Sequence, residues 1–271
     1  MNFFKLFPKI DYDLNNDGSL AKIVNIFRSI RPYQNAIDDP SLYTYYEIKN
    51  GERPDVVSQQ LYGTPDFYWT FFVINDFLHD GYKAWPLSTE NLMDYLAEEY
   101  SGYAITTRVQ FDANNVVKRN HTLVNNFQLG EAIRGTVSGA EGVLIKKDVD
   151  MNQLVVKSTN NIPYIGDVPS NNDLYETVKG LTTEDEIVSY VVYTYAEAPH
   201  HYFIKDSDGV EREYSNRSFI NNSASKPEND LSYISNRQYV YNLNDERSKI
   251  RVINPKHIGR FVELFESLLN E

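Results

Sequence analysis

The sequence predicts an α+β protein: a strand–helix–helix–strand unit, a small all-β barrel or sandwich inserted after it, and a C-terminal helix. Three observations predict this class. Residues 45–88 pass from alternating residues to helical spacing and back. Between Gly102 and Ala196 helical spacing disappears, and short apolar runs alternate with glycine-punctuated turns. From Ile258 to Leu269 apolar residues return at helical spacing. Four segments follow: an arm and helix over 1–42, the strand–helix–helix–strand unit with a following helix over 43–101, a small all-β domain over 102–198, and an extended segment, hairpin and C-terminal helix over 199–271.

The chain opens with an apolar arm from Phe3 to Tyr12, whose three phenylalanines, Phe3, Phe4 and Phe7, need cover from the protein's own core or from a neighbour. Asn15-Asn16-Asp17-Gly18 is a turn. Ser19 fits an N-cap for a helix to Ile30, with Leu20, Ile23, Val24, Phe27 and Ile30 on one face and Ile26 widening it. Arg31-Pro32 ends that helix, because a residue before proline avoids the α region. Tyr46-Glu47-Ile48-Lys49 alternates as a half-buried strand does, and Asn50-Gly51 is a turn pair. Pro54 sits at a helix start, where its missing N–H is harmless. Val56, Val57, Gln60 and Leu61 carry the helix to Tyr62-Gly63, where glycine closes it in the left-handed conformation. Thr64-Pro65-Asp66 restarts a second helix, with Thr64 as cap. The apolar run Phe67–Ile74 is buried on most sides, and Asn75 stops it. Trp85-Pro86-Leu87-Ser88 reads as the return strand.

Thr89 to Tyr100 reads as a helix capped by Thr89, with Leu92, Met93, Leu96 and Tyr100 inward and Glu98-Glu99 on a solvated face. The β runs after it are Ile105–Phe111, His121–Phe127, Glu131–Arg134, Gly142–Lys146, Gln153–Lys157 and Glu186–Tyr195. Phe127-Gln128-Leu129-Gly130-Glu131 has a loose echo in Tyr164-Ile165-Gly166-Asp167, each after an Asn pair, which hints at a duplicated hairpin. Gly135-Thr136-Val137-Ser138-Gly139 lacks the Gly-Lys-Ser/Thr ending of a phosphate loop and is a strand turn. Asp206-Ser207-Asp208-Gly209 turns between Tyr202–Lys205 and Val210–Tyr214, without the ligand spacing of a calcium loop. Asn221–Pro227 is a mobile loop by composition. Gln238–Leu243 and Lys249–Ile253 read as two strands, and Asn254-Pro255 starts the last helix. Its stripe of Ile258, Phe261, Val262, Phe265, Leu268 and Leu269 must dock, on this chain or on a partner's.

The composition bounds the function. A net charge of −12 argues against non-specific nucleic-acid binding and against docking on anionic lipid. With no cysteine there is neither a disulfide nor a thiolate metal site. No apolar run approaches a membrane span, and the apolar start is too short for a signal peptide and is broken by Pro8, so a cytosolic origin is expected. Tyrosine is plentiful at 21 residues, which fits strands, interfaces and carbohydrate-binding faces alike. Enzymatic motifs are missing: no H-E-x-x-H, no Gly-x-Ser-x-Gly and no cysteine nucleophile. His200 and His201, adjacent in an expected strand, should point to opposite faces and not chelate one metal. A glycosidase carboxylate pair stays open, since acidic residues abound. No catalytic, cofactor-binding or metal-binding residue is assigned.

The run Tyr46-x-Ile48-x-x-Gly51-Glu52, then Val56, Val57, Leu61-Tyr62-Gly63, then Phe72 and Asn75, resembles a LysM domain. That fold is strand–helix–helix–strand and in many proteins binds N-acetylglucosamine polymers. With Arg53-Pro54-Asp55 and Phe67-Tyr68-Trp69, the stretch looks like the form found in phage tail proteins. More narrowly, residues 1–100 and 236–270, including Asn244–Arg247 and Ile250–Pro255, are similar to the LysM-containing baseplate wedge subunits of contractile-tailed phages, the wedge protein 53 family. The resemblance implies a structural role in the virion tail baseplate, assembled in the host cytoplasm. The implied partners are other wedge subunits and neighbouring copies in a six-fold assembly, with contacts through Phe3, Phe4, Phe7, Tyr68, Trp69, Arg247 and Arg251. Two alternatives are a peptidoglycan-binding module, using a groove near Asn50, Gly51, Tyr62 and Asn75, and a cell-wall hydrolase. Against the first, Glu52-Arg53-Pro54 replaces the usual Asp-Thr/Ser-Leu.

Overall fold

A computed structural model describes residues 7–25, 41–107, 126–149, 151–166, 176–189, 191–205, 208–214 and 231–270. Phe3, Phe4, the second half of the helix expected over 19–30, the run 121–125 and the loop 221–227 lie outside these residues. Helices and sheets are both present, as the α+β class requires. The chain divides into two compact units, Met1–Leu92 with Asn242–Glu271, and Met93–Tyr241.

In the first unit, strand β1 (Lys9–Tyr12) pairs antiparallel with β2 (Ala21–Val24). This corrects the expected helix from Ser19. The carboxylate of Asp13 accepts the N–H groups of Asn15, Asp17 and Gly18, the last at 2.8 Å, and Asp17 takes the Ser19 N–H at 2.8 Å. Those bonds fold the turn back on itself and occupy Ser19, which cannot then cap a helix. They also hold the Asp13 carboxyl below its ordinary value, the Gly18 N–H contributing most. Strand β3 (Tyr43–Glu47) is followed by α1 (Pro54–Tyr62), with Pro54 in the first turn and Gly63 closing the helix at φ 74°. Thr64 caps the next turn by accepting the Asp66 N–H, and α2 (Trp69–Ile74) ends at Asn75.

The partner of β3 is not Trp85–Ser88 but β14 (Lys249–Ile253), in antiparallel register from Glu47↔Lys249 to Tyr43↔Ile253. Trp85 instead goes inward: its ring packs near Phe71 and Phe72, and its indole N–H donates to the Glu52 carbonyl at 2.7 Å. Ser88, not Thr89, caps α3 (Thr89–Glu99), its hydroxyl accepting the Asn91 N–H. Leu92 and Leu96 are buried on that helix and Met93 is exposed. The expected strand Gln238–Leu243 lies inside a helix, α4 (Asn236–Ser248). Ser235 accepts the Gln238 N–H and starts it, and local capping outweighs the strand preference of Tyr and Val. The final helix, α5 (Ile258–Asn270), docks on its own unit. Phe265 lies 4.7 Å from Trp69 ring to ring, and Phe265 and Leu269 join Val57, Phe71, Leu78, Ile250 and Val252 in one core.

The second unit holds an antiparallel sheet of seven strands: β4 (Tyr103–Thr106), β5 (Ala132–Gly135), β6 (Glu141–Asp148), β7 (Gln153–Ser158), β8 (Thr177–Gly180), β9 (Glu186–Val188) and β10 (Val191–Thr194). Their order is β10-β4-β7-β6-β5-β8-β9, an open sheet curled into half a barrel. Alternation decides the packing: Ile105, Leu154 and Val156 point into one core, and Ala104 and Val155 into another on the opposite face. Phe127 and Tyr164, the two ends of the suspected echo, share the first of these cores. A smaller sheet orders β12 (Glu211–Tyr214), β11 (Pro199–Lys205) and β13 (Leu231–Ser235).

A hairpin is indeed duplicated, but with a different spacing from the suspected one. Glu131-Ala-Ile-Arg-Gly-Thr-Val-Ser-Gly-Ala-Glu141 recurs 45 residues on as Glu176-Thr-Val-Lys-Gly-Leu-Thr-Thr-Glu-Asp-Glu186. The Gly135 N–H donates to Ala140 and the Gly180 N–H to Asp185, while Gly139 and Glu184 both take positive φ, 70° and 59°. β5 and β8 lie side by side, so the repeats face each other about a local twofold. Each repeat's buried glutamate caps the other's turn. Glu131 (5% exposed) accepts from the N–H groups of Thr182 and Thr183. Glu176 (1% exposed) accepts from the Ser138 N–H at 2.8 Å and the Ile165 N–H at 2.5 Å. Glycine is required at 135 and 180 by this exchange, since a Cβ there would fall 2.3 and 2.5 Å from the opposite carboxylate oxygens.

Candidate assembly surface

The β3–β14 ribbon has two unlike faces. Ile250 and Val252 are fully buried, and Tyr46 packs on the same core. On the other face Tyr45 stands opposite Arg251, and Glu47 opposite Lys249. Tyr43 and Tyr45 meet edge to face with centroids 5.9 Å apart, and the Arg251 guanidinium lies 5.5 Å from the Tyr43 ring centre. Tyr45 is 71% exposed. The backbone beneath is fixed by Asn75, a buried residue whose amide donates to the carbonyls of Phe71 (2.8 Å) and Arg251 (2.9 Å) and accepts the Arg251 N–H (2.9 Å). Tyrosine and arginine held rigid on an exposed face have the composition of binding hot spots.

The residues expected at contacts are distributed differently. Phe7 is half-buried against the core of the first unit. Tyr68 (8% exposed) and Trp69 (4%) are core residues of that unit, because α2 is covered on several sides by Trp85, Tyr82 and α5. They are corrected from contact residues to packing residues. Arg247 is half-buried in the last turn of α4, where a cation suits the helix dipole. Among the described residues of the expected set only Arg251 belongs to this cluster, and Tyr43 and Tyr45 stand outside that set. Their signal is the alternation of Tyr43-Thr44-Tyr45-Tyr46, which puts Tyr43 and Tyr45 on the face away from Tyr46.

The β1–β2 ribbon is a second surface. Ile10, Tyr12, Leu14 and Leu20 are all exposed along it. An isolated two-stranded ribbon is marginal in water, so apolar side chains in this number want further cover.

Three of the four residues expected at a glycan groove, Asn50, Tyr62 and Asn75, make hydrogen bonds within the chain. The Tyr62 hydroxyl donates to the Ile253 carbonyl at 3.0 Å, and burial pushes its pKa up. Asn75 is committed to Arg251, and Asn50 accepts the Thr89 N–H at 2.8 Å. The carboxylates of Glu131 and Glu176 are likewise taken up as turn caps. His200 and His201 contradict their expected divergence. A register shift between Pro199 and His201 turns both rings the same way, and their Nδ1 atoms lie 2.9 Å apart. His200 also stacks on Tyr239 with centroids 3.7 Å apart. Burial first, then His201 and Lys146, hold the His200 pKa below its ordinary value. Among the described residues no group of three or more metal-ligating side chains is assembled, and no helix is long and apolar enough to cross a membrane.

Residues 2–128 match the family model described as Base plate wedge protein 53. Among individual proteins, the chain is similar to baseplate wedge protein gp53 of Enterobacteria phage T4, with 31% identity over 101 residues. That alignment covers 36% of this chain and 50% of the T4 protein, so the chain spans about half the length of the curated relative it matches. The matched residues include β1 to β4 and α1 to α3, and exclude the duplicated hairpin, β14 and α5.

Proposed function

We propose that this chain is a structural subunit of a phage tail baseplate wedge, a part that acts through contacts and not through catalysis. The match of residues 2–128 to the wedge family carries the reading. The Tyr43–Tyr45–Arg251 face and the uncovered apolar ribbon Lys9–Val24 support it, since both ask for protein cover. In this reading β3, α1, α2 and β14 form a LysM-like unit whose second strand comes from the far end of the chain. The engagement of Asn50, Tyr62 and Asn75 within the chain supports a scaffold role over glycan binding. The partners are other wedge subunits and neighbouring copies in a six-fold ring, with the arm at Phe3, Phe4 and Phe7 and the arginines Arg247 and Arg251 at the contacts. The site of action is the virion baseplate, after assembly in the host cytoplasm.

The test mixes the purified chain with the other wedge subunits of its phage and follows assembly by sedimentation and electron microscopy. The chain alone stays monomeric or weakly associated, and joined wedges form only in the mixture. Tyr45→Ala and Arg251→Ala lower co-assembly about tenfold or more, as loss of an interface hot spot does, with little change in the unfolding of the free chain. Stable rings of the isolated chain, or normal wedges from both variants, would refute the proposal.

A further inference from the structure

The second unit carries a bowl that plays no part in the assembly surfaces. Tyr95, Glu99 and Tyr100 line it from α3 and the residue after it, Ile145 and Lys146 from β6, and Tyr195 from the turn after β10, around a volume of about 320 Å³. That is the small end of ligand pockets, roughly 300–1,000 Å³, and leaves room for one ring. The Tyr100 ring stands between its neighbours, 6.3 Å and 70° from Tyr95 and 5.2 Å and 39° from Tyr195. Ile145 reaches the wall because β6 bulges there: Leu144 pairs with Val156 and Lys146 with Val155, so Ile145 is the extra residue.

The polar groups have defined roles. Lys146 Nζ donates to the Tyr195 hydroxyl at 3.1 Å and lies 5.8 Å from that ring's centre, which leaves two of its three donors unused by this bond. Glu99 is exposed and offers an acceptor at the rim. Burial pushes the Tyr100 phenol up to about 12, so it stays a donor at neutral pH. The lining therefore combines aromatic faces with both a donor and an acceptor, and its two charges cancel.

A pyranose ring has the matching character: an apolar C–H face and a rim of hydroxyls that both donate and accept. We propose that this bowl binds one neutral hexopyranose residue of a glycan, its C–H face against Tyr95 and Tyr100, with Glu99 and Lys146 on its hydroxyls. A purely apolar occupant would strip water from Glu99 and Lys146 and return no hydrogen bond. A charged sugar would be attracted by one of Glu99 and Lys146 and repelled by the other, so the lining offers it no net gain over a neutral one. The inference is independent of the baseplate reading, which no outcome below affects.

The test is saturation-transfer NMR on the full chain with glucose, galactose, mannose and N-acetylglucosamine. A single ring held by few polar contacts binds with a Kd of about 1–10 mM. Transfer to the ring C–H protons of at least one sugar is expected. Tyr95→Ala and Glu99→Gln should each weaken it about tenfold, the effect of one lost stacking or hydrogen-bonding partner. Tyr233→Ala, a tyrosine exposed to 43% outside the bowl, should leave it unchanged. Tyr95 is 42% exposed and Glu99 is exposed, so both variants fold, which the dispersion of their amide spectra verifies. Absence of transfer from all four sugars would overturn the proposal. So would transfer that survives in Tyr95→Ala and Glu99→Gln, or tighter binding of glucuronate than of glucose.

Discussion

Glu176→Ala should cost the second unit about 3–5 kcal/mol. The carboxylate is 1% exposed and accepts two short backbone hydrogen bonds, from Ser138 (2.8 Å) and Ile165 (2.5 Å), as well as the Ser138 hydroxyl. Hydrogen bonds to a charged group contribute about 1.5–3 kcal/mol each, and truncation leaves part-buried N–H groups without this acceptor. Relief of the buried charge offsets part of the sum. Gly135→Ala alone should cost about 1–3 kcal/mol by overpacking, because its new Cβ would sit 2.3 Å from Glu176 Oε1. With Glu176 already truncated that oxygen is gone, and the second substitution should cost at least about 1 kcal/mol less than it does alone. Urea unfolding, followed by near-ultraviolet circular dichroism and fitted for four variants, measures the cycle. The mirror cycle at Glu131 and Gly180 should repeat the pattern, as the cross-capping is reciprocal. A loss below about 1 kcal/mol for Glu176→Ala, or additivity within about 0.5 kcal/mol, would refute the account of the two glycines as carboxylate seats.

Asn75→Ala should destabilise the first unit by about 2–4 kcal/mol, since it strips the Arg251 N–H of its acceptor inside the protein; amide exchange at Arg251 should accelerate with it. The His200 imidazole should titrate with a midpoint below 6.5 in an NMR pH series. Its folded pKa is depressed, so the unfolded chain binds the proton more readily; the stability from the neutral ring is present above 6.5 and lost as pH falls toward the folded midpoint. Deleting residues 249–271 should unfold the first unit and spare the second. It removes the buried side chains of Ile250, Val252, Ile253, Ile258, Phe265 and Leu269, at about 1.5–3 kcal/mol each, a loss as large as a domain's usual margin of about 5–15 kcal/mol. Limited proteolysis that leaves residues 43–88 protected in this truncation would show otherwise.

Local signals were legible where the determinants were local. Pro54, Gly63, Thr64 and Asn75 marked the helix boundaries, because a cap or a left-handed terminus needs those residue types whatever the distant chain does. Ser19 is ambiguous, since a serine two residues after Asp17 can serve a turn as readily as a helix, and the Asp13 carboxylate six residues upstream decides between them. Tyr239, Val240 and Tyr241 read as strand by propensity and became helix through the Ser235 cap. The aromatic residues Phe127 and Tyr164 do not mark the duplicated hairpin, although they share one core. The hairpin was written in the spacing from glutamate to glycine, whose meaning is a carboxylate received by the other copy's turn. Of the contact residues, Tyr68 and Trp69 could not be separated from core by composition, because α2 is apolar all round and its cover comes from α5 at the other end of the chain.

The least legible feature was which strand closes the first unit. Trp85–Ser88 is much nearer to β3 in sequence than β14 is, but Pro86 has no N–H for a ladder, and Trp85 is drawn into the core by Phe71, Phe72 and the Glu52 carbonyl. β14 places Ile250 and Val252 inward without such conflict, and Asn75 receives Arg251 at the sheet's edge. Loop-closure entropy opposes this choice only weakly, since each doubling of the loop costs about 0.6 kcal/mol. The ends of the excursion are also stapled within the first unit: the Asn244 amide accepts the Leu87 N–H at 2.8 Å and donates to the Leu87 carbonyl at 3.2 Å. With exit and re-entry held together by one side chain, the intervening residues can form a unit with cores of their own. The apolar pattern of β14 and the hydrogen bonds of Asn75 and Asn244 therefore outweigh proximity in sequence, and the first unit cannot be completed until the last part of the chain has arrived.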